Sequence, residues 1–278
     1  MGLKQLGHEV IFYDVIDKDL PNFTNDLKKA IQETDVSFVC VPTPSTELGI
    51  DLSYVKEAVK AVAFEINRKS SYHLIVVKST VIPGTCENYV LPILESLSHG
   101  KFGLCMNPEF LTEINRTWCD DNNFKRDFFN EERIVIGELD KKSGEMLEAV
   151  YRQRTDVRYQ IFHVDLRTAE FIKYASNCCL ASRISFWNEI FLICDFLGIN
   201  ASVVTDIVSM DPRIGKYGTV HGKAFGGKCL PKDLRALIHF LNIINFESPL
   251  LNAVERTNEE MKRQYGVRES TTPAPRRT

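Results

Sequence analysis

The stretch Phe225-Gly226-Gly227-Lys228-Cys229-Leu230-Pro231-Lys232-Asp233 sets one cysteine on a glycine-rich turn, with a lysine and an aspartate just beyond it. Glycines such as Gly226 let a backbone come close to a ligand, because no Cβ intervenes. Pro231 suits the first turn of a helix, where its missing N–H costs nothing. A thiol just before a helix start and beside a lysine sits in positive potential, which favours the thiolate nucleophile. The same residues also read as a glycine turn before a surface helix with an inert, buried cysteine.

Three further groups are spaced for chemistry. Lys173 and Asn177 are four residues apart in an apolar stretch, where a charge is costly unless it is paired or faces a polar cavity. An ammonium and an amide on one helix face suit the stabilisation of an oxyanion; a surface-seeking lysine and an internally packed amide are the plainer account. Glu109 and Glu113 lie in Asn107-Pro108-Glu109-Phe110-Leu111-Thr112-Glu113. If that segment turns helically, both carboxylates face one side and one can act as a base or position a water. Lys78-Ser79-Thr80-Val81-Ile82-Pro83-Gly84-Thr85 follows an apolar run; its hydroxyls serve either a ligand or the local backbone.

These groups need elements to hold them. Glu9–Asp14, Val36–Val41, His73–Val77, Gly103–Met106 and Arg133–Gly137 read as strands. Asp26–Glu33, Ser53–Arg68 (capped by Ser53) and Glu87–Leu97 read as helices. Apolar strands alternating with helices predict a parallel, doubly wound sheet. The loops after Val41, Val77 and Met106 then share its carboxyl edge, where such sheets hold ligands. Asp14 would close the second strand of a dinucleotide-binding unit, where an acid accepts from ribose hydroxyls and favours NAD over NADP; it also reads as an ordinary turn aspartate. From Asp165 to about Phe196 the chain lacks glycine and proline and is mostly apolar, which predicts one long helix. Ala201–Met210, Pro231–Leu241 and Ser248–Arg263 read as further helices. Asp211–Gly227 is a basic, glycine-rich loop, and Glu269–Thr278 a disordered tail.

Bulk properties narrow the classes. The chain has 278 residues, 44% hydrophobic and 26% charged, with a net charge of −3. That is ordinary for a soluble globular protein and argues against a general nucleic-acid binder. The eight cysteines include no C-x-x-C pair, so no metal site is expected, and reduced thiols suit a cytoplasmic protein. No apolar run reaches the roughly 18 residues of a membrane span, so no membrane partner is expected.

Taken in order, Val-Pro-Thr-Pro, Lys-Ser-Thr-Val-x-Pro-Gly-Thr, Asn-Pro-Glu-Phe-Leu-x-Glu, Lys-Tyr-x-x-Asn, Asp-Pro-Arg-Ile-Gly and Phe-Gly-Gly-Lys-Cys-Leu-Pro-Lys-Asp resemble the UDP-glucose/GDP-mannose dehydrogenase family over roughly Leu3 to Tyr265. The resemblance implies oxidation of a nucleotide sugar's primary alcohol to a carboxylate with two NAD. In it Cys229 captures the aldehyde as a thiohemiacetal, and a second oxidation gives a thioester that water releases. It implies that Lys173 and Asn177 stabilise the oxyanion, and that Asp233 and Thr80 organise a water near Glu113, itself close to the nicotinamide. Glu109, Phe110, Leu111 and Gly226 would line the sugar site. Arg213 and Tyr217 would approach the substrate's phosphates or a neighbouring subunit's ligand. Asp14, Thr43, Thr80, Glu113 and Lys232 would contact NAD. The long helix from about Asp165 would form a homodimer core.

Two parts of the family pattern have no counterpart in the sequence: a first strand with its G-x-G-x-x-G turn ahead of Asp14, and a C-terminal α/β domain. The expected fold is therefore α/β, an N-terminally incomplete Rossmann-type sheet over 1–164. An all-helical central dimerisation domain over 165–265 follows, then a tail over 266–278. Such a core fragment allows an alternative, an inactive homologue that dimerises as an interaction subunit and binds no NAD. A 3-hydroxyacid-type dehydrogenase shares the same architecture, but the cysteine motif argues against it.

Overall fold

In a computed structural model, the chain is described over residues 2–46, 49–112, 118–119, 126–152 and 159–268. It divides into two compact units. The first comprises residues 1–44, 50–110 and 127–173, the second residues 45–49, 111–126 and 174–278.

The first unit is built from α1 (Gly2–Gln5), β1 (Phe12–Tyr13), β2 (Phe23–Thr24), α2 (Leu27–Gln32) and β3 (Val36–Val39). Beyond the short segments β4 (Ser45–Thr46) and β5 (Gly49–Ile50) come α3 (Ser53–Asn67) and β6 (His73–Val77). A π-helical turn over Cys86–Val90 leads into α4 (Leu91–Leu97), followed by β7 (Phe102–Met106), β8 (Arg133–Glu138), α5 (Lys141–Tyr151) and β9 (Gln160–Asp165). Five strands form one sheet in the order β3-β6-β7-β8-β9. Neighbours run parallel except β7 and β8, which are antiparallel. The expected parallel sheet is thus mostly parallel, with one antiparallel pair. A strand buried on both faces shows the same apolar run in either direction, so composition alone does not report its orientation.

Strand alternation splits the core into two layers. Ile75, Val77, Leu104, Met106 and Val135 join Val55, Val59, Val62, Ala63 and Ile66 of α3 on one face. Leu74, Val76, Cys105, Ile134 and Ile136 meet Leu147 and Tyr151 of α5 on the other. The period-2 geometry of a strand requires this division. The apolar face of α3 recurs at the three- and four-residue spacing of a helix. Its start is not capped by Ser53, which is its first residue; the Asp51 carboxylate accepts from Ser53 N at 2.8 Å. Asp26 caps α2 through Lys29 N at 3.0 Å. The first expected strand is shorter than its apolar run: only Phe12–Tyr13 pair, in parallel with β2 and outside the main sheet.

One uninterrupted helix, α6 (Leu166–Leu197), begins in the first unit and continues into the second. The second unit also contains α7 (Ala201–Val208), α8 (Leu230–Ile243) and α9 (Pro249–Tyr265). Val267, placed in the tail by sequence, instead bridges to Ala224; residues 269–278 lie outside the described residues. Among the described residues no helix is long and apolar enough to cross a membrane, and none of the eight cysteines is in a disulfide.

Candidate active site

In the first unit the candidate residues cluster on the loops after β3, β6 and β7. These strands are parallel, so the three loops share one edge. The loop after β6 is tied down along its length. Lys78 N and Ser79 N both donate to Val39 O, at 2.9 and 3.1 Å. The Ser79 hydroxyl donates to Val41 O at 2.6 Å. Buried Thr43 donates its hydroxyl to Thr80 O at 2.8 Å. Ser79 and Thr80, which sequence left undivided between backbone and ligand, therefore part company. Ser79 serves the backbone, while the Thr80 hydroxyl has no partner among the described residues.

The loop after β7 carries the carboxylate motif. Asn107 is buried and fully used: Nδ2 donates to Val135 O at 2.8 Å, and Oδ1 accepts from Tyr151 at 2.6 Å and Lys78 Nζ at 3.2 Å. Burial pulls the Lys78 ammonium below its usual pKa, against the opposing pull of Glu109 and Cys40. Glu109 is exposed, and Phe110 is buried beneath the Arg133 guanidinium, 4.0 Å from its ring centroid. Residues 107–112, the described part of that motif, are irregular. Pro108 disfavours helical geometry at Asn107, and Thr112 N instead donates to Arg126 O at 2.8 Å. Glu113 lies outside the described residues.

Lys173 does not reach the surface. It is buried, its ammonium lies 5.6 Å from the Phe110 ring centroid, and it donates to Glu109 O at 2.6 Å. A charge-assisted bond of this kind is what makes a buried ammonium tolerable. Asp14 follows β1 directly. Its Oδ1 accepts from Ile16 N at 3.0 Å, and Lys18 stands 3.7 Å from its Oδ2, so here it supports its own turn.

In the second unit the glycine-rich loop ahead of α8 is pinned by side chains that sequence reasoning overlooked. Arg183 donates to Ile214 O and to Tyr217 O at 3.2 Å. Asn188 brackets Gly222 N and Lys223 O, both at 2.9 Å. Asn258 brackets Phe225 through its N at 2.8 Å and its O at 3.1 Å. A polar residue inside the largely apolar α6 was the available signal for Arg183 and Asn188, whereas Asn258 stands among the polar residues of α9 and gave none. Gly226 is required by packing: a Cβ there would lie 2.3 Å from the Val267 side chain. Tyr217 is half-buried, and burial raises its phenol to about 12. Arg213 is exposed and engages Asp211, Nη2 to Oδ2 at 2.6 Å. Leu111 is exposed.

The loop delivers Cys229 to the N-cap position of α8, where it is exposed rather than sealed in hydrocarbon. One turn later Asp233 N donates to Cys229 O at 2.9 Å. The Asp233 side chain is 1% exposed. Its Oδ2 accepts from Asn177 Nδ2 at 2.5 Å, and its Oδ1 lies 2.6 Å from Lys232 Nζ, an ionic contact without hydrogen-bond alignment. Asn177 stands one turn beyond Lys173 on the same face of α6. The thiol at the start of α8 and the Asp233 carboxylate thus belong to one helix, and the amide that holds the carboxylate lies on α6. Such groups can supply a nucleophile, an oxyanion donor and a water-orienting base. Among the described residues no cluster of histidine, cysteine and carboxylate side chains could hold a metal ion.

Comparison with known proteins bears on the same segments. Residues 3–155 match the NAD binding domain of the UDP-glucose/GDP-mannose dehydrogenase family, and residues 167–260 its central domain. The chain is 39% identical to the GDP-mannose 6-dehydrogenase of Pseudomonas aeruginosa over 242 residues, covering 84% of this chain and 53% of that protein. It is 36% identical to the UDP-glucose 6-dehydrogenase of Rickettsia bellii over 250 residues, covering 90% of this chain and 55% of that protein. The solved UDP-glucose dehydrogenase of the archaeon Pyrobaculum islandicum superposes with a TM-score of 0.84 at 35% identity, covering 94% of this chain and 65% of that one. The chain spans about half the length of the curated relatives it matches.

Proposed function

We propose that this chain, which belongs to the UDP-glucose/GDP-mannose dehydrogenase family, oxidises the C6 primary alcohol of a nucleotide sugar to the carboxylate, with Cys229 as nucleophile. The observation that carries the reading is the arrangement on α8: an exposed thiol at the helix start, and Asp233 one turn on, buried and held by Asn177. The family domain that residues 3–155 match is NAD-binding, and NAD, when bound, accepts the hydride in each oxidation. The carboxyl-edge loops fit such a ligand, because the Thr80 hydroxyl has no partner among the described residues, beside the Thr43 hydroxyl that holds Thr80 O. Asp14, Thr43, Thr80 and Lys232 would hold the cofactor, with Glu113 near its nicotinamide.

The residues' own steps follow from their chemistry. Oxidising the alcohol to the aldehyde releases one hydride and one proton. The Cys229 sulfur then adds to the aldehyde carbon, and the carbonyl oxygen takes a proton to give a thiohemiacetal. This adduct again bears an oxidisable C–H and O–H, and loss of a second hydride and proton gives the thioester. Lys173 and Asn177 stabilise the oxyanion at each stage. Asp233 and Thr80 orient the water whose oxygen joins the acyl carbon as the C–S bond breaks, returning the thiol and releasing the carboxylate. Glu109, Phe110, Leu111 and Gly226 would line the sugar site, and Arg213 and Tyr217 would approach the phosphates.

The second copy in a homodimer would cover α6 and α7. Phe196 and Leu197 of α6 and Val203 and Ile207 of α7 are all exposed, and grouped apolar side chains on a surface mark interaction sites. No observation favours the non-enzymatic alternative. The test is NADH release from UDP-glucose or GDP-mannose by the chain and by Cys229→Ser. Two NADH per carboxylate are expected from the parent, and no carboxylate from the variant. Undiminished NADH from the variant removes the mechanism.

A further inference from the structure

One acid, on α6, has no place in the chemistry above. Glu170 lies three residues before Lys173, is completely buried, and among the described residues has no basic side chain bonded to it. An ionised carboxylate in that position costs several kcal/mol unless its oxygens are fully engaged. They are engaged by backbone: Oε2 accepts from Gly84 N at 2.5 Å and Oε1 from Cys86 N at 2.7 Å. These amides end the loop that carries Thr80 and open the π-helical turn before α4. Unbonded N–H groups at a helix start are the usual place for an acid, normally supplied by the preceding chain. Here the acid comes from another helix. Gly84 has φ +90°, so only glycine presents its N–H this way without strain.

The loop is thus held at both ends, by β3 and Thr43 on one side and by Glu170 on the other. Arg167, one turn earlier on α6, pairs with Glu87 of the same π-helical turn and strengthens the second attachment. We infer that Glu170 is a positioning residue that locks the Thr80 loop to the helix segment bearing Lys173. The two groups then keep one fixed relation during turnover. This rests on the proposed roles of Thr80 and Lys173.

The test is a double-mutant cycle on NADH formation at saturating nucleotide sugar and NAD, using E170Q, T80A and the double variant. Glutamine keeps the shape of Glu170 but turns an N–H of its own toward one of the two amides. E170Q is expected to lower kcat about 10- to 100-fold, the cost of a displacement near 1 Å at a reacting group, with KM for the sugar little changed. The double variant is expected to be no slower than the slower single variant, because Glu170 acts through Thr80. Losses that multiply in the double variant, or a kcat unchanged in E170Q, overturn the inference. Should E170Q not fold, E170D, which keeps the charge on a shorter stem, is expected to give an intermediate kcat; a parental kcat overturns the inference. Should the parent release no NADH, the proposed function fails and the inference is read by NMR. The amides of Thr80–Thr85 are then expected to shift and lose exchange protection in E170Q while those of β7 do not, and an unchanged loop overturns it.

Discussion

Replacing Asp233 by asparagine changes one charge and almost no volume at the centre of the α8 arrangement. The wild-type carboxylate is 1% exposed, bonded to Asn177 Nδ2 at 2.5 Å and facing Lys232 Nζ at 2.6 Å. A hydrogen bond to a charged acceptor contributes about 1.5–3 kcal/mol and a neutral one about 1, so neutralisation forfeits about 1 kcal/mol. The ionic contact, both of whose atoms are buried, adds up to about 1 kcal/mol more. An asparagine must also turn its NH2 toward either Asn177 or Lys232, both donors, which leaves one buried donor facing another at about 1–3 kcal/mol. Together these predict a loss of about 2–5 kcal/mol. With an m-value of about 1–3 kcal/mol/M in urea, the unfolding midpoint should fall by about 0.7 M or more. Asp233→Ala removes both partners' acceptor and should cost about 3–5 kcal/mol. A midpoint within about 0.3 M of the parent for both variants would refute the placement of Asp233 in a buried, doubly occupied position.

Other perturbations reach different elements. His73 is buried between the Ser37 hydroxyl, 2.8 Å from Nε2, and Lys69, 3.4 Å from Nδ1. Burial first, then the Lys69 charge, lowers its pKa to about 4. Between that value and the unfolded value near 6.5 only the unfolded chain takes up the proton. Stability is therefore intact above about pH 6.5 and falls by about 3 kcal/mol as pH drops to 4; His73→Gln should flatten that stretch of a urea-midpoint profile. Gly84→Ala forces a side chain onto φ +90° with its Cβ 2.8 Å from Asn88 Nδ2, and calorimetry should show a loss of at least about 1–2 kcal/mol. Asn258→Ala strips both hydrogen bonds from Phe225 and should cost about 2–4 kcal/mol in denaturant titration, while loosening the loop that presents Cys229.

What the sequence disclosed and what it withheld follow from which forces are local. His73–Val77 was legible because the apolar run Leu74–Val77, three of its residues β-branched, has few other uses. The buried Lys173 was legible because a charge inside an apolar helix must have a reason. The same argument applied to Glu170 and Arg183 and was not extended to them, although each proves to be pinned to backbone in its own unit. The helix Lys141–Tyr151 was overlooked despite a clear start signal, Asp140 accepting from Ser143 N at 2.8 Å. Its small apolar set, Leu147 and Tyr151 among polar neighbours, gives a weak stripe. The antiparallel entry of β8 was not legible, since strand direction depends on a connection rather than on the strand's own residues. The motif order led to Cys229 and Asp233, but nothing local to Asn107 announces that one amide joins Val135, Tyr151 and Lys78.

The central claim is that the sulfur of Cys229 bonds to the substrate's oxidised carbon. Its most direct test is to mix the protein with NAD and nucleotide sugar, quench in acid during turnover, and map covalent adducts by peptide mass spectrometry. The account predicts a sugar-nucleotide acyl group on the peptide containing Cys229, removed by hydroxylamine and missing from Cys229→Ser. An unmodified Cys229 peptide in a sample that is actively forming carboxylate would contradict it.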